Sequence, residues 1–123
     1  MFPRKVTKSY TTDASGDATV YTEAIRGRLL EVLFVDTDTD AGADFTITTE
    51  DSGQAIVTLT NAGATGKWRP RQKIQDAAGA DVSYEATDTK DVHDFIYIAN
   101  ERIKIVVAQG GATKSGTFTF IYG

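Results

Sequence analysis

The sequence predicts an all-β fold: a single antiparallel β-sandwich, jelly-roll-like, of about eight strands with one long connecting excursion. Three observations predict it. Near the C-terminal end Ile103, Ile105 and Val107 share one face and Phe118, Phe120 and Tyr122 share another, the period-2 signature of paired, half-buried strands. Turn chemistry recurs between such runs, at Asp13-Ala-Ser-Gly-Asp17, Asp40-Ala-Gly-Ala43, Glu50-Asp-Ser-Gly53, Asn61-Ala-Gly63 and Gly110-Gly111, with a spacing that suits a sandwich. No long stretch of helical periodicity competes with it.

Taken in order, strands are expected at Arg4 to Thr12, Ala18 to Thr22, Arg28 to Asp36, Phe45 to Thr49 and Ala55 to Asn61, then at Phe95 to Ala99, Arg102 to Ala108 and Thr117 to Tyr122. Alternating threonines in Phe45-Thr-Ile-Thr-Thr49 and Thr117-Phe-Thr-Phe120 give these strands a hydroxyl-rich polar face. Leu29-Leu-Glu-Val-Leu-Phe-Val35 is almost continuously apolar. Such a run belongs to a central strand covered on both faces, or to a strand at an interface. Its exception, Glu31, needs a partner or water. The rhythm breaks over residues 62–91, read as one excursion across the end of the sandwich, with a second glycine turn at Ala77-Ala-Gly-Ala80 and a short strand at Val82 to Glu85.

At 123 residues the chain fits one domain, 1–123, with a core of its own. A net charge of -4 argues against a general nucleic-acid binder, because phosphate contacts need a basic surface. Without cysteine there is no disulfide, thiolate metal site or cysteine nucleophile. The opening residues, Met1-Phe-Pro-Arg-Lys-Val-Thr-Lys8, carry bases with no apolar run behind them, and so read as neither signal peptide nor membrane anchor. Charge comes in blocks: Asp36, Asp38, Asp40, Asp44, Glu50 and Asp51 without a base, then Lys67, Arg69, Arg71 and Lys73 without an acid. Blocks of this kind are solvated loops or match a partner's charges.

Several chemical motifs are approached but not met. Asp36-Thr-Asp-Thr-Asp-Ala-Gly42 resembles a calcium loop, yet its glycine falls one place late and Ile47 stands where a bidentate carboxylate belongs. His93, the only histidine, lies between Asp91 and Asp94 with no Gly-x-Ser-x-Gly elbow or His-Glu-x-x-His pattern to support catalysis. A glycosidase pair is defined by distance across a cleft, which carboxylate counting does not supply. Gly111-Ala-Thr-Lys-Ser115 lacks the glycine before the lysine and the following helix that a phosphate loop needs. The expectation is a non-enzymatic protein with no cofactor and no metal.

Two contact sites are expected. Trp68, Arg69, Pro70 and Arg71 combine the residues favoured at binding hot spots with a proline that limits the entropy of ordering. The alternative is that Trp68 plugs the open end of the sandwich while its basic neighbours stay in water. As a stacking platform for sugar, Trp68 would want a second exposed aromatic, for which Tyr84 is the candidate. Arg4, Lys5 and Lys8, in an N-terminal arm over residues 1–8, form the second site, steered to a negative patch; its alternative is a frayed terminus.

Tyr10-Thr-Thr-Asp-Ala-Ser-Gly-Asp-Ala-Thr-Val20, Gly27-Arg-Leu-Leu30, Asp44-Phe-Thr-Ile-Thr48, Pro70-Arg71 and the run from Arg102 to Thr117 resemble small structural proteins of tailed bacteriophages and prophages. In such proteins the pattern matched by Gly110, Gly111, Lys114, Ser115 and Gly116 is a tight hairpin. The resemblance implies a virion component, foremost a capsid decoration or auxiliary protein on the outer surface of the head. Its partner would be the major capsid protein, its own state a homo-oligomer with a trimer favoured, and its place during assembly the host cytoplasm. Nucleic acid and membrane are not expected partners. A neck, tail or baseplate component and a glycan-binding module for host attachment are the alternatives.

Overall fold

The computed structural model describes residues 2–84 and 90–123. Among them the chain forms ten strands: β1 (Arg4–Thr11), β2 (Ala18–Tyr21), β3 (Ile25–Asp36), β4 (Asp44–Thr49), β5 (Ala55–Leu59), β6 (Gly66–Trp68), β7 (Arg71–Lys73), β8 (His93–Glu101), β9 (Ile103–Ala108) and β10 (Ser115–Tyr122). They make two antiparallel sheets. The larger runs β1-β10-β3-β8-β7 with β6 also on β3, and the smaller runs β2-β9-β4-β5. Most connections cross between sheets, as a jelly-roll-like sandwich requires.

The core lies between the sheets and is built from the inward parity of each strand. Phe34, Phe45 and Phe118 meet with ring centroids 4.8 to 5.0 Å apart, and Tyr10 stacks on Phe34 at 6.3 Å. Aromatic pairs at these separations add to the free energy of burying their area. Buried Tyr10 keeps its hydroxyl satisfied through Thr39, 2.5 Å away, which in turn donates to the Ser115 carbonyl at 2.9 Å. Burial pushes the Tyr10 phenol above its ordinary pKa.

The C-terminal strands correct the sequence reading. β9 and β10 do not pair with one another: β9 lies between β2 and β4, and β10 between β1 and β3. The glycine turn therefore arches from one sheet to the other instead of closing a hairpin. It is held there by neighbouring loops, with Gly110 donating to Gly16 O at 2.9 Å and accepting from Asp40 N at 3.0 Å. Alternation alone reports that each strand has a buried face, not which strand it pairs with.

The first residues are likewise sheet and not arm from Arg4 onward. β1 pairs with β10 from Arg4↔Tyr122 to Thr11↔Ser115. The excursion also differs from a bare loop. Its β6 pairs with the second half of β3, at Val32 to Phe34, and its β7 pairs with the start of β8. The excursion thus extends the larger sheet. Beyond β7, isolated bridges join Gln75 to Asp81 and Ser83 to Asp91; the expected strand at Val82 to Glu85 runs into Glu85, outside the described residues.

One corner joins the sheets without a long loop. Ile25 pairs with Glu101 and Arg26 with Ala99, so Asn100 is left over as a bulge, with φ 54°. Asparagine tolerates that left-handed geometry better than most residues. The chain then passes from β8 in the larger sheet to β9 in the smaller. Glu101, at the corner, is buried and accepts from the N–H groups of Asp51 (2.8 Å) and Ser52 (3.0 Å) and from the Ser52 hydroxyl (3.0 Å). Those bonds, led by the one from Ser52 N–H and opposed by burial, hold its carboxyl below the usual range.

Candidate interaction face

Register decides which side chains share a surface. On the larger sheet Val6, Phe120, Val32 and Trp68 form one inward row, whereas Thr7, Thr119, Leu33 and Lys67 form the next row and point outward. By the same parity Lys5, Ile121 and Glu31 face outward, as do Ser9, Thr117 and Val35. Further along the sheet Arg28 lies opposite Tyr97, Arg26 opposite Ala99, and Arg71 opposite Phe95. Two arginine guanidinium groups sit over the Phe95 ring, Arg28 at 4.9 Å and Arg71 at 4.4 Å from its centroid. Such contacts orient a cation without neutralising it.

The outer face is consequently basic on an acidic protein. Among the described residues Lys5, Arg26, Arg28, Lys67, Arg69 and Arg71 stand there with Glu31, and Lys73, of the same parity as Arg71, is paired with Asp81 and Asp91. Near the C-terminal end of β3 the face is apolar: Val35 is 57% exposed and Leu33 is half-buried. Beside them a shallow hollow of about 320 Å³ is lined by Leu33, Val35, Thr65, Gly66 and Lys67. The continuous apolar run of β3 is thus explained. Its inward residues fill the core, and its outward ones, Leu33 and Val35, remain partly open to solvent.

On the β1 and β10 side the face is stiffened by a ladder of hydroxyl pairs, Thr7–Thr119 at 3.2 Å, Ser9–Thr117 at 2.9 Å and Thr11–Ser115 at 3.2 Å. Cross-strand hydroxyl pairs of this kind hold register. They also fix the groups that a docked surface would meet.

The expected contact residues divide between the two sides of the sheet. Arg69 and Arg71 lie on the outer face, where Arg71 Nη1 donates to the carbonyls of Pro70 (2.8 Å) and Leu30 (3.3 Å). That second bond fills the break in β3 pairing between β8 and β6. Trp68 turns inward against the core, and its ring lies so close to Gly66 that a Cβ there would stand 3.2 Å from it. It plugs the side of the sandwich, and Pro70 beside it is buried. A cleft of about 530 Å³ remains there between Trp68, Arg69, Glu31 and Val57 of the opposite sheet. In it Glu31 Oε1 is buried, with Arg69 Nε at 3.4 Å as an ion-pair partner but without hydrogen-bond geometry.

The basic head divides as well. Lys5 shares the outer face, whereas Arg4 and Lys8 have the inward parity of Val6 and Tyr10. An inward-pointing lysine on an edge strand is a known guard against edge-to-edge pairing.

The acidic loop is spent on turns. Asp36 accepts from Thr39 N at 2.7 Å, Asp38 from Ser115 N at 2.7 Å and Asp44 from Asn61 N at 3.0 Å. Among the described residues no group of three histidine or acidic side chains is placed to hold a metal ion. His93 is exposed, opposite Lys73 at the start of β8.

Sequence reasoning missed Arg26, Arg28, Phe95, Tyr97, Leu33 and Val35 as a set. The signal was present in their alternation, but Arg26 lay before the expected strand and the bulge at Asn100 resets the parity of β8. No protein-family model matches this chain, and no curated protein matches it.

Proposed function

We propose that this protein is a non-enzymatic structural component of a tailed-phage virion, a head decoration protein that docks on the outer surface of the assembled capsid shell. The observation that carries the reading is the outer face of the larger sheet, where exposed Val35 and half-buried Leu33 adjoin Lys67 at one end of a face whose other end carries arginines, on an otherwise acidic protein. An exposed apolar patch beside charged side chains is suited to binding another protein. The resemblance of the sequence to phage structural proteins supplies the partner, the major capsid protein. Binding only the assembled shell lowers its free energy by mass action and opposes rupture.

The test is to add purified protein to shells that lack it and to image occupancy and position. Wild type should decorate the head, and binding should weaken as salt rises because the face is charged. Val35→Glu, and Arg69→Glu with Lys67→Glu, should lower occupancy at least tenfold while thermal unfolding stays near wild type. Shells left bare by wild type, or decoration indifferent to these substitutions, would refute the docking face. Binding at the neck or tail would move the protein there.

A further inference from the structure

The sandwich has free strand edges, and they are not equally guarded. β1 carries Arg4, Lys5 and Lys8; β6 carries Lys67; β7 carries Arg71 and Lys73. β2 is four residues long, flanked by Asp17 and Glu23, and packs beside β1. Short length and charge are the usual means of preventing an edge from pairing with another chain. β5 has neither. From Ser52 to Gly66 the chain has fifteen consecutive positions without a charged residue or proline. Among the described residues β5 pairs with β4 alone, and its other edge opens on a groove of about 700 Å³ that separates Ala55 and Ile56 from Arg71, Lys73 and Gln75. Ala55 and Thr58 are exposed, and Val57 and Leu59 are half-buried.

We infer that β5 is a self-pairing edge, which joins β5 of a second copy in an antiparallel, two-fold arrangement. The choice of occupant follows from charge. In such a pair each residue stands opposite a residue of the same strand, so any charge near the axis meets its own copy at about 5 Å, which is destabilising. Only a neutral strand satisfies that condition, and β5 with its flanks is neutral throughout. An acidic or basic extended segment from another protein would instead select an edge of opposite charge. The bulge at Ile56, where Ile47 pairs with Val57 and Thr48 with Ala55, limits the ladder to a few residues. A ladder that short buries less than the roughly 1,000 Å² of a stable interface. The pairing is therefore weak in dilute solution and populated at the high local concentration of an assembly. It involves a surface separate from the proposed docking face and does not depend on what that face binds.

The absence of cysteine makes the test direct. Single cysteines are placed in turn at Ala55, Val57, Thr58 and Leu59, with Thr46→Cys on the interior strand β4 as the control, and disulfide dimerisation is followed at high protein concentration. Self-pairing predicts a maximum at one β5 position, at least tenfold faster than the control. Thr58→Lys added to the fastest Ala55, Val57 or Leu59 cysteine variant should return the rate to the control value, whereas Lys at Thr46 should not; thermal unfolding establishes that both fold. Rates on β5 no greater than at Thr46, or a maximum that survives Thr58→Lys, overturn the inference.

Discussion

Gly63→Ala should be among the most damaging single-methyl additions in this chain, because two backbones meet where the methyl would go. A Cβ on Gly63 would stand 2.8 Å from the Asp40 carbonyl carbon and 3.1 Å from Ala41 Cα, and closer still to the Asp40 carbonyl oxygen. None of these atoms belongs to a side chain that can rotate away. Relief requires the turn after β5 to part from the loop after β3. That separation strains the bond from Ala62 N to Ala43 O at 2.8 Å and the one from Asn61 N to Asp44 at 3.0 Å. Overpacking costs about 1 to 3 kcal/mol, and a strained backbone hydrogen bond adds about 1, so we expect a loss of about 3 kcal/mol. For a chain of this length that lowers Tm by about 12 °C. Gly42→Ala is the internal control: it lies in the loop that Gly63 abuts, and its nearest neighbour would be Asn61 Oδ1 at 3.8 Å, so its effect should stay within about 1 kcal/mol of zero. Thermal and denaturant unfolding monitored by circular dichroism measure both. Equal losses for the two, or a fall of less than about 4 °C for Gly63→Ala, would refute the steric argument.

Three further outcomes follow from side chains. Trp68→Ala should cost about 2 kcal/mol, less than a fully buried tryptophan because the ring is half-buried, while Arg69→Ala changes stability by no more than about 0.5; similar values would remove Trp68 from its role as a plug. Glu31→Leu should leave stability unchanged or raise it by about 1 to 2 kcal/mol, since it removes a buried oxygen with no hydrogen bond and only an exposed partner, and a clear fall in the urea midpoint would show that the Arg69 pair matters more. Glu101 titrates below its unfolded value, so its stabilisation is complete above the unfolded pKa and lost as pH falls through the folded one. The stability gap between wild type and Glu101→Gln should therefore be constant near neutrality and shrink in acid, and a gap independent of pH down to about 3 would contradict the hydrogen-bonded carboxylate.

Eight of the strands were legible because each is long enough to show its period. β6 and β7 were not, since three residues carry no periodic signal and their partners, β3 for β6 and β8 for β7, are set by register. Pairing was hidden for a different reason. Ile103 to Val107 and Phe118 to Tyr122 display buried faces whether they pair with each other or face across a core. The contact residues show the same limit. Trp68 and Arg69 are adjacent in sequence and so point to opposite sides of the sheet, whereas Lys5 and Arg69 are remote in sequence and share a side. Composition marked the basic block correctly, but only register assigns its members to a surface.

The position of β10 between β1 and β3 has a kinetic consequence. Thr7 and Thr119, neighbours in the ladder, are 112 residues apart in sequence. A ribosome adding about 5 to 20 residues per second takes about 6 to 22 s to reach the second after the first. For that interval β1 has no sheet to join, and Val6 and Tyr10 lack the part of their cover that β10 supplies. The larger sheet is completed only after synthesis of β10, and long-range pairing makes that last step slow. The charges on β1 then protect the nascent chain before they guard the folded edge.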